Sequence, residues 1–139
     1  MITRLSHACI YVLDQDSAYD FYVNKLGCKV HTDAPMGEGV RWLTVTAPDQ
    51  PDLEITLMPI TPGMTFTDES AKLMRVLVAQ GTFGFGVFET SDIYATYEEL
   101  KSKGVEFTKP PNKEFYGTEA MFKDDSGNWF SLTEKKNEQ

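Results

Sequence analysis

Basic clusters, cysteine motifs and long apolar runs are all scarce in this chain. Its 139 residues carry 13 Lys and Arg against 21 Asp and Glu, a net charge of -8, and the longest basic run is Lys135-Lys136. A polyanion needs a basic face, so nucleic acid is excluded as a partner. Cys9 and Cys28 are the two cysteines and form no CxxC spacing. Isolated thiols make neither a disulfide framework nor a structural zinc site, which fits a reducing cytoplasm. The opening stretch MITRLSHACIYVL is broken by Arg4, Ser6 and His7, too short and too polar for a signal segment or a span, so no membrane association is expected. At 41% hydrophobic, the chain has apolar material for one ordinary domain, whose halves are small for independent folding.

What is present is a repeat. DQDSAYDFYVNKLG, from Asp14 to Gly27, runs from an acidic helix start through apolar positions to a glycine, and then meets CKV; DIYATYEELKSKG, from Asp92 to Gly104, does the same before VEF. The offset is about 77 residues, and it carries Glu54 in DLEITL onto Ser131 in NWFSL. Self-similarity of this kind implies two like units, each one supersecondary module.

Alternation over 5–12 predicts a strand in which His7, Cys9 and Tyr11 share one face and Ala8, Ile10 and Val12 the other. Asp14 or Asp16 caps the next helix, Ala18, Phe21, Tyr22 and Leu26 form its apolar stripe, and Gly27 stops it. Strands at 28–30, 41–46 and 53–58 follow, separated by the turn-forming runs 33–39 and 47–52. Thr67 caps a linker helix over about 68–80, with Asp68 and Glu69 in its positive first turn. The second module then has a strand over 83–89, a helix over 92–103 using Ile93, Tyr97 and Leu100, and strands at 105–107, 118–123 and 129–134. The turn 124–128 closes its last hairpin, and 135–139 reads as a loose tail. The fold class is α+β, two tandem βαβββ modules (module one about 1–60, module two about 82–134) with curled mixed sheets forming a cavity.

A His in the first strand, VLD before the helix, Phe21-Tyr22 and Leu26-Gly27 along it, and DDSGN before the last strand resemble the vicinal oxygen chelate superfamily. That superfamily includes glyoxalases, bleomycin-resistance proteins and extradiol dioxygenases, and the resemblance covers nearly the whole chain. It implies a divalent metal held by first and last strands of the modules, at His7, Glu54, Phe85 and Ser131 in this chain. His7 and Glu54 have donors suited to such an ion. Phe85 has none and Ser131 offers only a neutral hydroxyl, which disfavours a tightly held metal. The resemblance also implies a homodimer.

Two functions follow. In the first, the protein is an enzyme of isomerase or lyase type, with His7 and Glu54 as an acid/base pair or a water-rich metal site. In the alternative, it is a metal-free protein that sequesters an aromatic or cationic compound, as bleomycin-resistance relatives do. Cys9, Tyr11, Trp42, Phe85, Glu119, Trp129 and Ser131 are the candidate small-molecule contacts, with Trp129 and Phe85 lining a pocket for a flat ligand. Glu119 maps onto Trp42 across the repeat. His31, Arg41 and Arg75 are read as solvent-facing, and the methionines as gap fillers.

Overall fold

The computed structural model describes residues 1–63 and 65–135, and the chain divides into two compact units, Met1–Val78 and Ala79 onward. In the first unit β1 (His7–Val12) leads into α1 (Gln15–Tyr19), which widens into a π-helical segment (Asp20–Lys25), followed by β2 (Lys29–Pro35), β3 (Arg41–Ala47), β4 (Gln50–Pro59) and α2 (Asp68–Ala79). The second unit has β5 (Phe85–Glu89), α3 (Ile93–Ser102), β6 (Phe107–Glu114), β7 (Gly117–Lys123) and β8 (Trp129–Lys135). Each unit holds one open four-stranded mixed sheet, in the order β1-β4-β3-β2 and β5-β8-β7-β6, with β1 parallel to β4 and β5 parallel to β8. The fold is therefore α+β, with the same strand order in both modules.

The two helix starts are built alike. Asp14 accepts from the Ser17 amide at 2.8 Å, and Asp92 from the Ala95 amide at 3.1 Å, each satisfying one of the orphan donors of a first turn. Both helices stop at a glycine with positive φ, +82° at Gly27 and +88° at Gly104, a backbone state that side chains resist. The first stop follows a wider turn, because the Leu26 amide reaches back five residues to the Phe21 carbonyl at 2.9 Å. Thr67 and Ser70 cap α2 reciprocally: the Ser70 amide donates to Thr67 Oγ1 at 3.0 Å and the Thr67 amide to Ser70 Oγ at 2.8 Å.

One face of each sheet is core. In the first unit Val12, Leu43, Val45, Ile55 and Leu57 are buried together with Ala18, Phe21 and Tyr22 of the helix. Burying such side chains stabilises by about 1.5–3 kcal/mol each. Gln15 ties helix to sheet: its Nε2 donates to the carbonyls of Arg41 and Leu57, both at 2.8 Å, and its Oε1 accepts from the Arg41 amide at 3.0 Å. The second unit buries Ala120, Phe122, Phe130 and Leu132 against Ile93 and Leu100. Its last turn is organised by Asp124, whose Oδ1 accepts from the amides of Ser126, Gly127 and Asn128, all at 2.9 Å.

Several boundaries differ from expectation. β2 runs on through Asp33, Ala34 and Pro35, and β4 begins at Gln50, so each absorbs part of a run read as turn. β6 continues through Pro110-Pro111 to Glu114, which is possible because it is an edge strand and its register shifts between Lys109 and Asn112. β8 includes Lys135, the start of the expected tail; 136–139 lie outside the described residues, as does Met64. No helix among the described residues is long and apolar enough to cross a membrane.

Candidate functional site

A polar row crosses the whole first sheet. His7 on β1 pairs with Glu54 on β4 in parallel register, and its Nε2 lies 3.0 Å from Glu54 Oε2. Thr44 on β3 donates to Oε1 at 2.9 Å, and His31 Nδ1 on β2 reaches the same oxygen at 2.9 Å. A carboxylate only accepts, so both imidazoles present N–H to it. The other ring nitrogen of His7, Nδ1, is hydrogen-bonded with Ser6 Oγ at 2.9 Å. Glu54 is mostly enclosed, its side chain 17% exposed, whereas His7 and His31 are 40% and 50% exposed.

His31 was missed by pattern reading, and the reason is local. Val30 pairs with Val45 and Thr32 with Thr44, so His31 is the extra residue of a β-bulge, and a bulge re-aims its side chain out of the strand's alternation. Arg41 does point outward, into ion pairs with Asp33 at 3.0 Å and with Asp16. Arg75 donates to the carbonyl of Ile60 at 3.1 Å.

Beside the row lies an open cleft of about 470 Å³, lined by His7, Cys9, Tyr11 and Trp42 from the predicted set. Met36, Val40, Thr56, Met58 and the segment around Phe66 complete the wall. These side chains meet because alternation puts odd residues of β1 and even residues of β3 and β4 on one face. The Trp42 and His7 rings are tilted at 46° with centroids 6.2 Å apart, and Phe66 meets Tyr11 edge-on at 5.2 Å. Cys9 is exposed as a residue, yet partial desolvation pushes its thiol up, a hydrogen bond with Tyr11 acting the other way. A raised thiol is a poor nucleophile at neutral pH.

The remaining predicted contacts, Phe85, Glu119, Trp129 and Ser131, lie on the second sheet. Phe85 pairs with Trp129 and stacks on it, centroids 4.5 Å apart and planes within 9°. Ser131 pairs instead with Val87, so Phe85 and Ser131 are not opposed in the way His7 and Glu54 are. Glu119 pairs with Thr133, and Thr44 with Thr56. If Ser131 corresponds to Glu54, the counterpart of Glu119 is therefore Thr44, not Trp42. The modules have exchanged their groups: hydroxyl on the third strand and carboxylate on the fourth in one, carboxylate then hydroxyl in the other. Ser131 Oγ donates to Glu119 Oε2 at 2.5 Å, while Tyr116 Oη and Lys109 Nζ reach Oε1 at 2.8 and 3.1 Å.

That hydrogen bonding lowers the Glu119 carboxyl below its ordinary value of 4.5, the Ser131 contact being the largest cause. A depressed carboxyl contributes stability that is present above the unfolded value and lost as pH falls through the folded one. We therefore expect Ser131→Ala to lower stability at neutral pH and to flatten the acid limb, because a carboxyl that titrates nearer 4.5 has less stability to lose as pH falls. Urea midpoints measured against pH check this, and an acid limb identical to the parent's would refute it.

The donors do not suit a resident metal ion. Phe85 has no donor and is stacked on Trp129, the Ser131 hydroxyl donates to Glu119, and no cluster of three or more His, Cys, Asp or Glu among the described residues is arranged to hold an ion.

Residues 4–132 match the Glyoxalase/Bleomycin resistance protein/Dioxygenase superfamily. The chain belongs to that superfamily. The uncharacterized protein YetH of Bacillus subtilis (strain 168) is 36% identical over 134 residues, covering 96% of this chain and 100% of YetH. The crystal structure of UcmS2 superposes with a TM-score of 0.90 at 47% identity, covering 97% and 100% of the two chains. TnmS3, an antibiotic binding protein from Streptomyces sp. CB03234, superposes with a TM-score of 0.74 at 29% identity over 97% and 98%. Superfamily membership alone leaves the chemistry open, since one fold carries many functions.

Proposed function

We propose that the protein is a metal-independent binder that sequesters a flat, neutral, aromatic compound in the first-unit cleft. The observation that carries this reading is the composition of the wall. Tyr11, Trp42 and Phe66 supply ring faces, Met36 and Met58 supply adaptable apolar contact, and among the described residues no Asp, Glu, Lys or Arg lines the cleft. The volume of about 470 Å³ suits a ligand of several fused rings. The likeness to the antibiotic binding protein TnmS3 supports a binding role. Of the two ligand types expected from sequence, the uncharged wall favours the neutral aromatic over the cation, because a cation would shed water without gaining a free counter-charge.

The rival reading, a glyoxalase-like isomerase or lyase, rests on the His7–Glu54 contact at 3.0 Å. Titration of a Trp129→Phe variant, which leaves Trp42 as sole indole reporter, with a neutral anthraquinone separates the two. Saturable quenching and a thermal shift that persist in excess chelator are expected. A shift abolished by chelator, or turnover that appears on adding divalent ions, would overturn the binding assignment.

A further inference from the structure

The chain contains two histidines, and both meet on one carboxylate. We infer that His31, which is not among the residues lining the cleft, sets the cleft's choice between neutral and cationic ligands by occupying Glu54. The inference rests on the cleft being a ligand site. Glu54 stands between two wall residues, His7 beside it in register and Thr56 two positions along β4 on the same face. It is the negative charge nearest to that wall along both strands, and three of its roughly four acceptor directions are filled internally: His7 on Oε2, Thr44 and His31 on Oε1. A charge so satisfied offers a ligand ammonium little, while the ammonium still loses its hydration on entry.

Of the three donors, His31 is the removable one. Thr44 is fully buried and fixed within β3, and His7 is itself part of the wall. His31 is half exposed and is presented by a bulge rather than by the ladder, so its truncation leaves pairing intact. Truncation frees one acceptor direction of Oε1 and opens solvent-accessible space beside it. A ligand ammonium can then take the bond that the imidazole gave up.

The test compares anthracenemethanol, neutral, with aminomethylanthracene, a cation at neutral pH, by quenching of Trp42. The parent is expected to favour the neutral probe. His31→Ala should shift the affinity ratio toward the cation by about tenfold, the worth of one hydrogen bond to a charged group. His31→Gln, which still donates, should keep the parental ratio. A structural role for His31 would weaken both probes equally and leave the ratio unchanged, which overturns the inference. So does a shifted ratio that survives Glu54→Gln in the His31→Ala background, because the gain would not then come from the carboxylate. If the parent binds neither probe, the binding assignment itself fails and the inference falls with it.

Discussion

Phe122→Ala is expected to lower stability by about 3–5 kcal/mol, the range for deleting a ring from a closed core. Phe122 is 1% exposed and sits at the centre of an aromatic cluster, with ring centroids of Phe88, Phe107 and Phe130 at 6.2, 5.7 and 5.6 Å. The cost has two parts, the lost transfer of the ring from water and the void left behind. The neighbours cannot easily fill that void, since Phe130 is fixed in the central strand β8 and Phe107 is held edge-on by Tyr97 at 4.6 Å. Phe88→Ala, which removes a less buried ring from the cluster's edge, should cost clearly less. Urea unfolding of both variants measures this order. A Phe122→Ala loss below about 1 kcal/mol would mean that the cluster collapses freely and that this unit lacks a fixed core.

The two helix caps, the glycine stops and the alternating strands were legible from the sequence, because each depends on residues within a few positions of one another. What was not legible depends on strand pairing. His31 shows this most clearly: a strict two-residue period puts it opposite Val30 and away from the site, and only the bulge against β3 brings it to Glu54. The Glu119 assignment failed for a related reason. An offset counted along the chain ignores the different lengths of the β3–β4 and β7–β8 turns, whereas pairing identifies Thr44 as its counterpart. Pro110-Pro111 reads as a chain breaker, but an edge strand leaves one side of its backbone without a ladder, and the prolines are accommodated there.

Among the described residues no group of three or more His, Cys, Asp or Glu is arranged to hold an ion, and the surroundings of the two carboxylates bear on this. In both units the carboxylate has a hydroxyl donor across the diagonal of a hairpin, Thr44 for Glu54 and Ser131 for Glu119, and a nitrogen donor from the edge strand, His31 and Lys109. A carboxylate held by three donors is already stable in place, and displacing those bonds offsets much of what coordination would gain. The two carboxylates stand at non-corresponding positions of the repeat, yet both are engaged in internal hydrogen bonding.

Trp42→Ala is expected to reduce affinity for a flat aromatic ligand by about thirtyfold, or about 2 kcal/mol, the scale of a central aromatic hot spot. The effect should be separable from folding. Trp42 is partly exposed on the cleft face of β3, while its neighbour Leu43, fully buried, faces the core; the substitution therefore removes ligand contact more than packing. Trp42→Phe keeps a ring face and should recover most of the loss. The decisive comparison is with Trp129→Ala. Trp129 also presents an aromatic surface, stacked with Phe85, which is 64% exposed, so either tryptophan could be the platform on exposure alone. The cleft distinguishes them: Trp42 has Tyr11, Phe66, Met36 and Met58 converging with it on one concave volume, and contact from several sides is what converts a ring face into affinity. Isothermal titration of the two alanine variants should show the large loss at Trp42. A large loss at Trp129 with parental binding at Trp42 would move the ligand to the second sheet and leave the cleft without a role.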